Sequence, residues 1–376
     1  MSGRYRLGVD GRAFSSPAGG VRRYVWEIYG ALPRVAPDVD AVAIGASPAD
    51  ALPPAMIPFP ARSVPTNLGW MAATIPLAAR RARLDIYHAP AYTAPLWGVH
   101  PQVVTIHDVS YERKPEWNAY RNDRARRYFY RRAALAADRI ITDSVFSRGE
   151  ITAAYGIPAD RIDVVPLAAG DTFTPGTFDP STAPAGVAQP YALHVGDLHV
   201  RRNLTTAVDA VLALRRRAGS PERVTLVCAG IDRGVGAELT ARADRAKDPG
   251  ALVLTGAVSE SVLVNLYRGA GVFVYPSRYE GFGLPVLEAM RCGIPVVAAD
   301  CASIPEIVAG AGVLLDPLAV AAWEDAIGRV LTDTAMAARL REAALTRAAQ
   351  FSWSRAASDT VAVFRRCMQG GGKAGR

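Results

Sequence analysis

One stretch of this chain constrains its fold more than any other: Ser277-Arg278-Tyr279-Glu280-Gly281-Phe282-Gly283-Leu284-Pro285-Val286-Leu287-Glu288-Ala289-Met290. The residues just before it, Val272 to Tyr275, are all apolar and read as a buried strand. Gly281 and Gly283 free the backbone for a tight loop. Pro285 suits the first turn of a helix, where its missing N–H costs nothing. That helix should end near Gly293, and Ile294 to Ala299 reads as the next strand. A glycine loop opening a helix offers unpaired N–H groups to phosphate. Two acids flank it: Glu280 stands before the loop and Glu288 one turn into the helix. Carboxylates accept paired hydrogen bonds from vicinal hydroxyls. The implied ligand has phosphate in the middle and a polyol at each end, which describes a nucleotide sugar.

The same strand–helix alternation runs along most of the chain. Arg6 to Asp10 opens as a strand, Val21 to Leu32 has helical periodicity, and strands are expected at Val42–Ile44, Ile86–His88, Val103–His107, Ile140–Asp143 and Asp163–Pro166. Helical stretches lie between them, notably 120–137 and 147–155. Asp171 to Pro190 breaks the pattern with Pro175, Pro180, Pro184 and Pro190 and reads as a linker. A second series follows, with strands at 191–196, 224–229, 252–255, 272–275 and 294–299, then helical pattern from Val320 to Gln350 and a last amphipathic helix near 354–366. Alternation of this kind implies parallel sheets covered on both faces, here in two α/β domains. A chain of 376 residues is long enough for both.

Glu-x7-Glu within Glu-Gly-Phe-Gly-Leu-Pro-Val-Leu-Glu-Ala-Met resembles the donor motif of retaining glycosyltransferases of the GT-B fold, family 4 (glycosyl transferases group 1), with mannosyltransferase-like character. The resemblance implies two doubly wound, Rossmann-like domains facing a cleft. Residues 1–180 would be the acceptor-side domain and 190–352 the nucleotide-sugar-binding domain. A crossover helix, 353–368, would pack back on the first. It also implies roles. Glu280 would hold hydroxyls of the transferred sugar and Glu288 those of the ribose. The loop N–H groups around Gly281, Phe282, Gly283 and Leu284 would meet the leaving phosphate. In Asp197-Leu198-His199-Val200-Arg201-Arg202-Asn203 the family's phosphate-pairing lysine is replaced by Arg202, so Arg201 or Arg202 makes that contact. A guanidinium still pairs with phosphate, bidentately but less adaptably. Some relatives carry an arginine directly after the glycine at Gly196; here Asp197 follows.

In the first domain, Gly19-Gly20 precedes a helix, and similar enzymes use this loop near the donor. Thr105-Ile106-His107-Asp108 ends a strand, where ligands of α/β sheets bind. The resemblance places His107 beside the transferred sugar, with Asp108 on the acceptor side or capping His107. His88 ends an adjacent strand and is a further acceptor-side candidate. His194 lies in an apolar strand and reads as core. Ala137 to Arg148 also looks like the family and reads mainly as architecture, with Ser144 or Ser147 capping a helix.

Composition narrows the rest. The formal charge of +8 favours anionic ligands, but no zinc module or RNA-binding signature accompanies it, so nucleic acid is not an expected partner. The segment Arg121 to Arg132 holds six arginines against one aspartate, with three aromatics. A solvated helix face is one reading; docking on anionic lipid headgroups, suiting a lipid-linked acceptor, is the other. No apolar run reaches membrane-span length, and the first residues carry no signal-peptide core. The expected place is therefore the cytoplasm, with a peripheral position on the inner membrane face as its extension. Cys228, Cys292, Cys301 and Cys367 have no metal-ligand spacing. No Asp-x-Asp ends a strand, so neither a metal nor another cofactor is expected.

The sum is hexose transfer, with mannose from GDP-mannose as first choice, to a glycan or lipid-linked hydroxyl in cell-surface polysaccharide assembly. The alternatives are a sugar-nucleotide epimerase of the same fold and a non-catalytic sugar-nucleotide binder. A dehydrogenase would need a complete dinucleotide loop, and Gly234-Val235-Gly236-Ala237-Glu238-Leu239 lacks the third glycine. A phosphorylase would need a cofactor lysine, and Lys114, Lys247 and Lys373 occupy no convincing site.

Overall fold

The computed structural model describes residues 4–16, 19–62, 64–117, 123–217 and 224–370. It contains two parallel sheets. The first is built from β1 (Tyr5–Asp10), β2 (Val39–Ile44), β3 (Ile57–Phe59), β4 (Ile86–Ala89), β5 (Gln102–Thr105), β6 (Arg139–Thr142) and β7 (Ile162–Val164). Their order is β3-β2-β1-β4-β5-β6-β7. The second is built from β8 (Tyr191–Val195), β9 (Thr225–Ala229), β10 (Leu252–Gly256), β11 (Val272–Tyr275), β12 (Val296–Ala299) and β13 (Val313–Leu315). Their order is β10-β9-β8-β11-β12-β13.

Both sheets therefore reverse direction once, the first between β1 and β4, the second between β8 and β11. Such switch points leave a crevice at the strand carboxyl ends. The central strands are uniformly buried, as apolar runs covered on both faces must be. β3 and β13 escaped the sequence reading because each is only three residues long, at a sheet edge. The helical pattern from Val320 is two helices, Val320–Thr332 and Thr334–Ala348, separated where Asp333 caps the second.

The chain divides into one unit made of residues up to Leu167 and from Ser352 onward, and another of Ala168–Phe351. The expected boundary at 180–190 thus moves upstream. The proline-rich stretch is held by the second unit: the Asn265 amide bonds the backbone N–H and C=O of Asp179, Thr172 reaches Glu260, and Arg268 reaches Thr174.

The final helix, Trp353–Gly370, belongs to the first unit. It packs on the helix Gly19–Val35 and on β5 and β6. Its buried residues, among them Ala356, Thr360, Val363, Phe364 and Cys367, recur at helical spacing. Arg365 and Arg366 clamp its rim to Asp38 and Asp163.

Candidate active site

In the second unit, the loops after β8 and β11 flank the switch point and carry most of the expected donor residues. Gly196 follows β8 at φ 131°, and a Cβ there would meet the Arg202 guanidinium at 3.3 Å, so glycine lets that side chain lie against the strand end. The chain then turns through Val200–Arg202, where His199 caps the Arg201 N–H, into Asn203. The Asn203 amide donates to the carbonyls of Pro317 (2.6 Å) and Pro276 (3.3 Å), tying this turn to the segments after β13 and β11. The Arg278 N–H donates to the Arg201 carbonyl at 2.9 Å, which closes the same join.

These ties bring Arg202 against Glu280. One guanidinium nitrogen, Nη1, donates to both Glu280 Oε1 and the Tyr275 hydroxyl, and the Ser277 hydroxyl donates to the same carboxylate oxygen. Burial alone would raise the Glu280 pKa, but Arg202, then Arg201 and the hydroxyl, outweigh it and hold the carboxyl below its usual range. Glu280 is thus a fixed anion. Arg202 Nε is buried and has no hydrogen-bond partner among the described residues. Beneath the cluster, His194 stacks on Tyr275 at 5.4 Å, and burial lowers its pKa to about 3. It is the core residue its apolar strand implied.

The glycine loop follows. Ser303 Oγ lies 2.6 Å from the Phe282 carbonyl and 3.0 Å from that of Glu280, and so pins the loop. Phe282 packs edge-on against Phe351. Gly283 precedes the helix Leu284–Arg291 at φ 117°, a conformation that disfavours any side chain. Pro285 sits in the helix's first turn, and Glu288 lies one turn in, buried, with Oε2 3.0 Å from the Tyr267 hydroxyl. Asn203, Ser303 and Tyr267 support this site: Asn203 belongs to the motif after β8, while no sequence signal singled out Ser303, which follows β12, or Tyr267, which lies in the helix Glu260–Gly269.

In the first unit, Gly19 and Gly20 are exposed and begin the helix Gly19–Val35. Tyr24, one turn on, packs its ring edge-to-face against His107 at 4.9 Å and bonds Thr105 at 3.0 Å. His107 itself bonds Asp143, not Asp108: Nδ1 lies 2.8 Å from Asp143 Oδ2. Asp108 instead accepts the Ser110 N–H at 2.9 Å. The capping reading of Asp108 is therefore corrected. Asp143 was passed over as architecture, although it directly follows β6, the strand beside β5, and His107 lies two residues beyond β5.

His88 is also corrected as a ligand-facing candidate. It is fully buried, with Nδ1 bonded to the Tyr29 hydroxyl and Nε2 to Thr105, each at 2.8 Å. Burial lowers its pKa to about 3, so the ring is neutral and both nitrogens are spent.

The arginine-rich segment forms the helix Arg124–Ala136; Arg121 lies outside the described residues. Arg126 pairs with Asp123 and Arg127 with Glu112. Arg124, Arg131, Arg132 and Tyr128, the last 65 % exposed, lie at the surface. Among the described residues no helix is long and apolar enough to cross a membrane, and no group of three or more His, Cys, Asp or Glu has metal-binding geometry.

Two doubly wound units, with a Glu-x7-Glu glycine loop at one switch point, define a glycosyltransferase of GT-B architecture. The family description "Glycosyltransferase Family 4" matches residues 18–168, and "Glycosyl transferases group 1" matches 189–333. The O-antigen chain mannosyltransferase B of Escherichia coli is 33 % identical over 286 residues, 74 % of either chain. Sucrose-phosphate synthase from Thermosynechococcus elongatus superposes with a TM-score of 0.74 over 98 % of this chain and 100 % of its own, at 20 % identity. Anabaena Alr3699/HepE, solved in complex with UDP and glucose, superposes with a TM-score of 0.69 over 96 % of this chain and 99 % of its own, at 20 % identity. The chain belongs to glycosyltransferase family 4.

Proposed function

We propose that this glycosyltransferase moves a hexose, mannose from GDP-mannose as first choice, to a glycan or lipid-linked hydroxyl with retention of anomeric configuration. The observation that carries the reading is the convergence at the second switch point: a fixed Glu280 anion, the glycine loop opening a helix, and Glu288 one turn beyond. Glu280 would hold sugar hydroxyls and Glu288 the ribose. The N–H groups of Gly283 and Leu284, with Arg201 or Arg202, would take the charge on the leaving diphosphate, a role for which helix dipole and guanidinium suffice without a metal. The acceptor hydroxyl would attack the anomeric carbon on the face the diphosphate leaves, and its proton would pass to a phosphate oxygen of the departing group. No enzyme nucleophile is assigned.

The mannose preference is supported by the 33 % identity to a mannosyltransferase of O-antigen assembly; the UDP complex of a structural neighbour keeps uridine donors in play. The surface-exposed Arg124, Tyr128, Arg131 and Arg132 support docking on an anionic membrane, where a lipid-linked acceptor would be met. The test is a thermal-shift and nucleotide-release screen against GDP-, UDP-, ADP- and dTDP-sugars. Stabilisation by one donor, with nucleotide release only when acceptor is added, is the expected result. Interconversion of donor sugars without transfer would make the protein an epimerase. Binding without turnover would make it a sugar-nucleotide binder.

A further inference from the structure

The first unit exposes apolar side chains and arginines on three elements that lie side by side. One is the helix Ile75–Ala82, where Leu77 is 50 % exposed and Arg80 and Arg81 stand exposed in the last turn. The second is the connection from β4 to β5, where Trp97 is 54 % exposed. The third is the helix Arg124–Ala136, whose exposed residues Arg124, Tyr128, Arg131 and Leu135 recur at helical spacing, with Arg132 exposed beside them.

Two contacts join the three. Gly98 lies against the start of the helix Ile75–Ala82, since a Cβ there would meet Pro76 at 3.4 Å. The Gln102 amide donates to the Pro95 carbonyl at 3.0 Å and to the Ala136 carbonyl at 3.1 Å, which fastens the connection to the end of the arginine helix. From beneath, Ala94 and Val99 are buried in the core that Leu96 also packs against. The chain is therefore held on both sides of Trp97, and the indole projects from a fixed base.

Singly exposed apolar residues are ordinary on a protein surface. What sets Leu77, Trp97 and Leu135 apart is their surroundings. Arg80, Arg81, Arg124, Arg131 and Arg132 have no ion-pair partner among the described residues. The neighbouring acids are already engaged: Asp123 with Arg126, Glu112 with Arg127, and Asp138 with His100 and the Gln102 N–H. The surface thus combines one sign of charge with an amphipathic ring. A second copy of the chain would set these arginines against each other. An anionic lipid surface neutralises them, takes the indole at headgroup level and receives the leucines beside it.

We propose that Trp97 and Leu77 are the apolar anchor of a lipid-docking surface whose charge comes from both helices. The inference rests on the docking reading above and deepens it, adding insertion to charge. Attachment without a span takes two signals to be stable, and this surface carries an apolar one and a polybasic one.

The test uses the full chain, without donor or acceptor, and vesicles of phosphatidylcholine with or without phosphatidylglycerol. Wild type should co-sediment with the anionic vesicles only. Its tryptophan emission should shift to the blue on binding and be quenched by lipids brominated on the acyl chain. Trp97→Ala should lower partitioning about tenfold and Leu77→Ala about threefold. Trp97→Phe should keep partitioning within about threefold while losing most of the quenching, since phenylalanine also suits an interfacial apolar face. Unchanged binding in Trp97→Ala, or the same quenching in wild type and Trp97→Phe, would overturn the anchor and leave docking by charge alone standing. Should Trp97→Ala not fold, that quenching difference decides. Equal binding to both kinds of vesicle would overturn the part given to the arginines, and the proposal with it. No binding of wild type to either would end the docking reading and this proposal together, while leaving sugar transfer to be judged by its own assay. Self-association in sedimentation velocity that Trp97→Ala abolishes would make the surface a contact between copies and overturn the lipid assignment.

Discussion

Arg202 and Glu280 form an ion pair whose side chains are only 10 % and 8 % exposed. Neither charge can shed its partner cheaply, because the survivor would stay in a low-dielectric site. Glu280→Ala is therefore predicted to do two things. Leaving Arg202 unpaired should destabilise the second unit by about 3–5 kcal/mol in urea unfolding. Adding Arg202→Met should recover much of that, since no buried charge remains. Turnover should stay at least about tenfold down in both variants, if Glu280 also holds the sugar. Stability unchanged in the single variant would mean the pair opens to solvent.

Glu288, on the helix Leu284–Arg291, accepts a hydrogen bond from the Tyr267 hydroxyl of the helix Glu260–Gly269. Glu288→Ala should weaken binding of the nucleoside diphosphate and of the nucleotide sugar equally, by about 1.5–3 kcal/mol in calorimetry. A loss confined to the nucleotide sugar would reassign Glu288 from ribose to the transferred sugar.

Activity is predicted to survive EDTA. Arg201, Arg202 and the helix Leu284–Arg291 offer the positive charge the leaving group needs. Loss of turnover on chelation, restored by Mg²⁺ or Mn²⁺, would refute this.

The His107–Asp143 pair gives a pH signature. Burial pulls the His107 pKa down, but Asp143, with lesser help from Asp108 and the Pro90 carbonyl, more than offsets it, so the folded ring titrates above 6.5. A raised folded pKa contributes stability that is complete below the unfolded value and lost as pH rises through the folded one. The urea midpoint of wild type relative to His107→Gln should thus be highest near about pH 6 and fall toward about pH 9. A constant difference across that range would show the ring to be neutral throughout. Burial pushes the Asp143 carboxyl up as well, against the lowering effect of His107.

Membrane docking is tested by the arginines at the surface. Arg124→Gln, Arg131→Gln and Arg132→Gln together should release the protein from anionic vesicles, at about 1 kcal/mol per charge. They should leave activity on a short soluble acceptor intact. Arg126→Gln and Arg127→Gln should have less effect, because Asp123 and Glu112 already neutralise those side chains. Wild-type protein remaining in the supernatant at low salt would end the membrane reading.

The sequence by itself determined the architecture and the glycine loop before the helix Leu284–Arg291. Both follow from local rules: apolar runs of strand length, helical periodicity, a proline in the first turn of Leu284–Arg291, and a glycine where φ is 117°. Glu280 and Glu288 were legible because seven intervening residues place them on the two sides of one loop. The tertiary structure alone decided which groups meet. Asp143 lies 36 residues from His107, and only the β5–β6 register sets them side by side. Arg202 lies 78 residues from Glu280, and what joins them is the order of β8 and β11 in the sheet. His88 and His107 look alike as strand-end histidines. Packing separates them: Tyr29, Thr105 and Phe364 enclose the first, while Asp143 holds the second by one nitrogen. Period and spacing act along the chain and can be read there. Strand order and burial are properties of the assembled sheet, and no local stretch of sequence contains them.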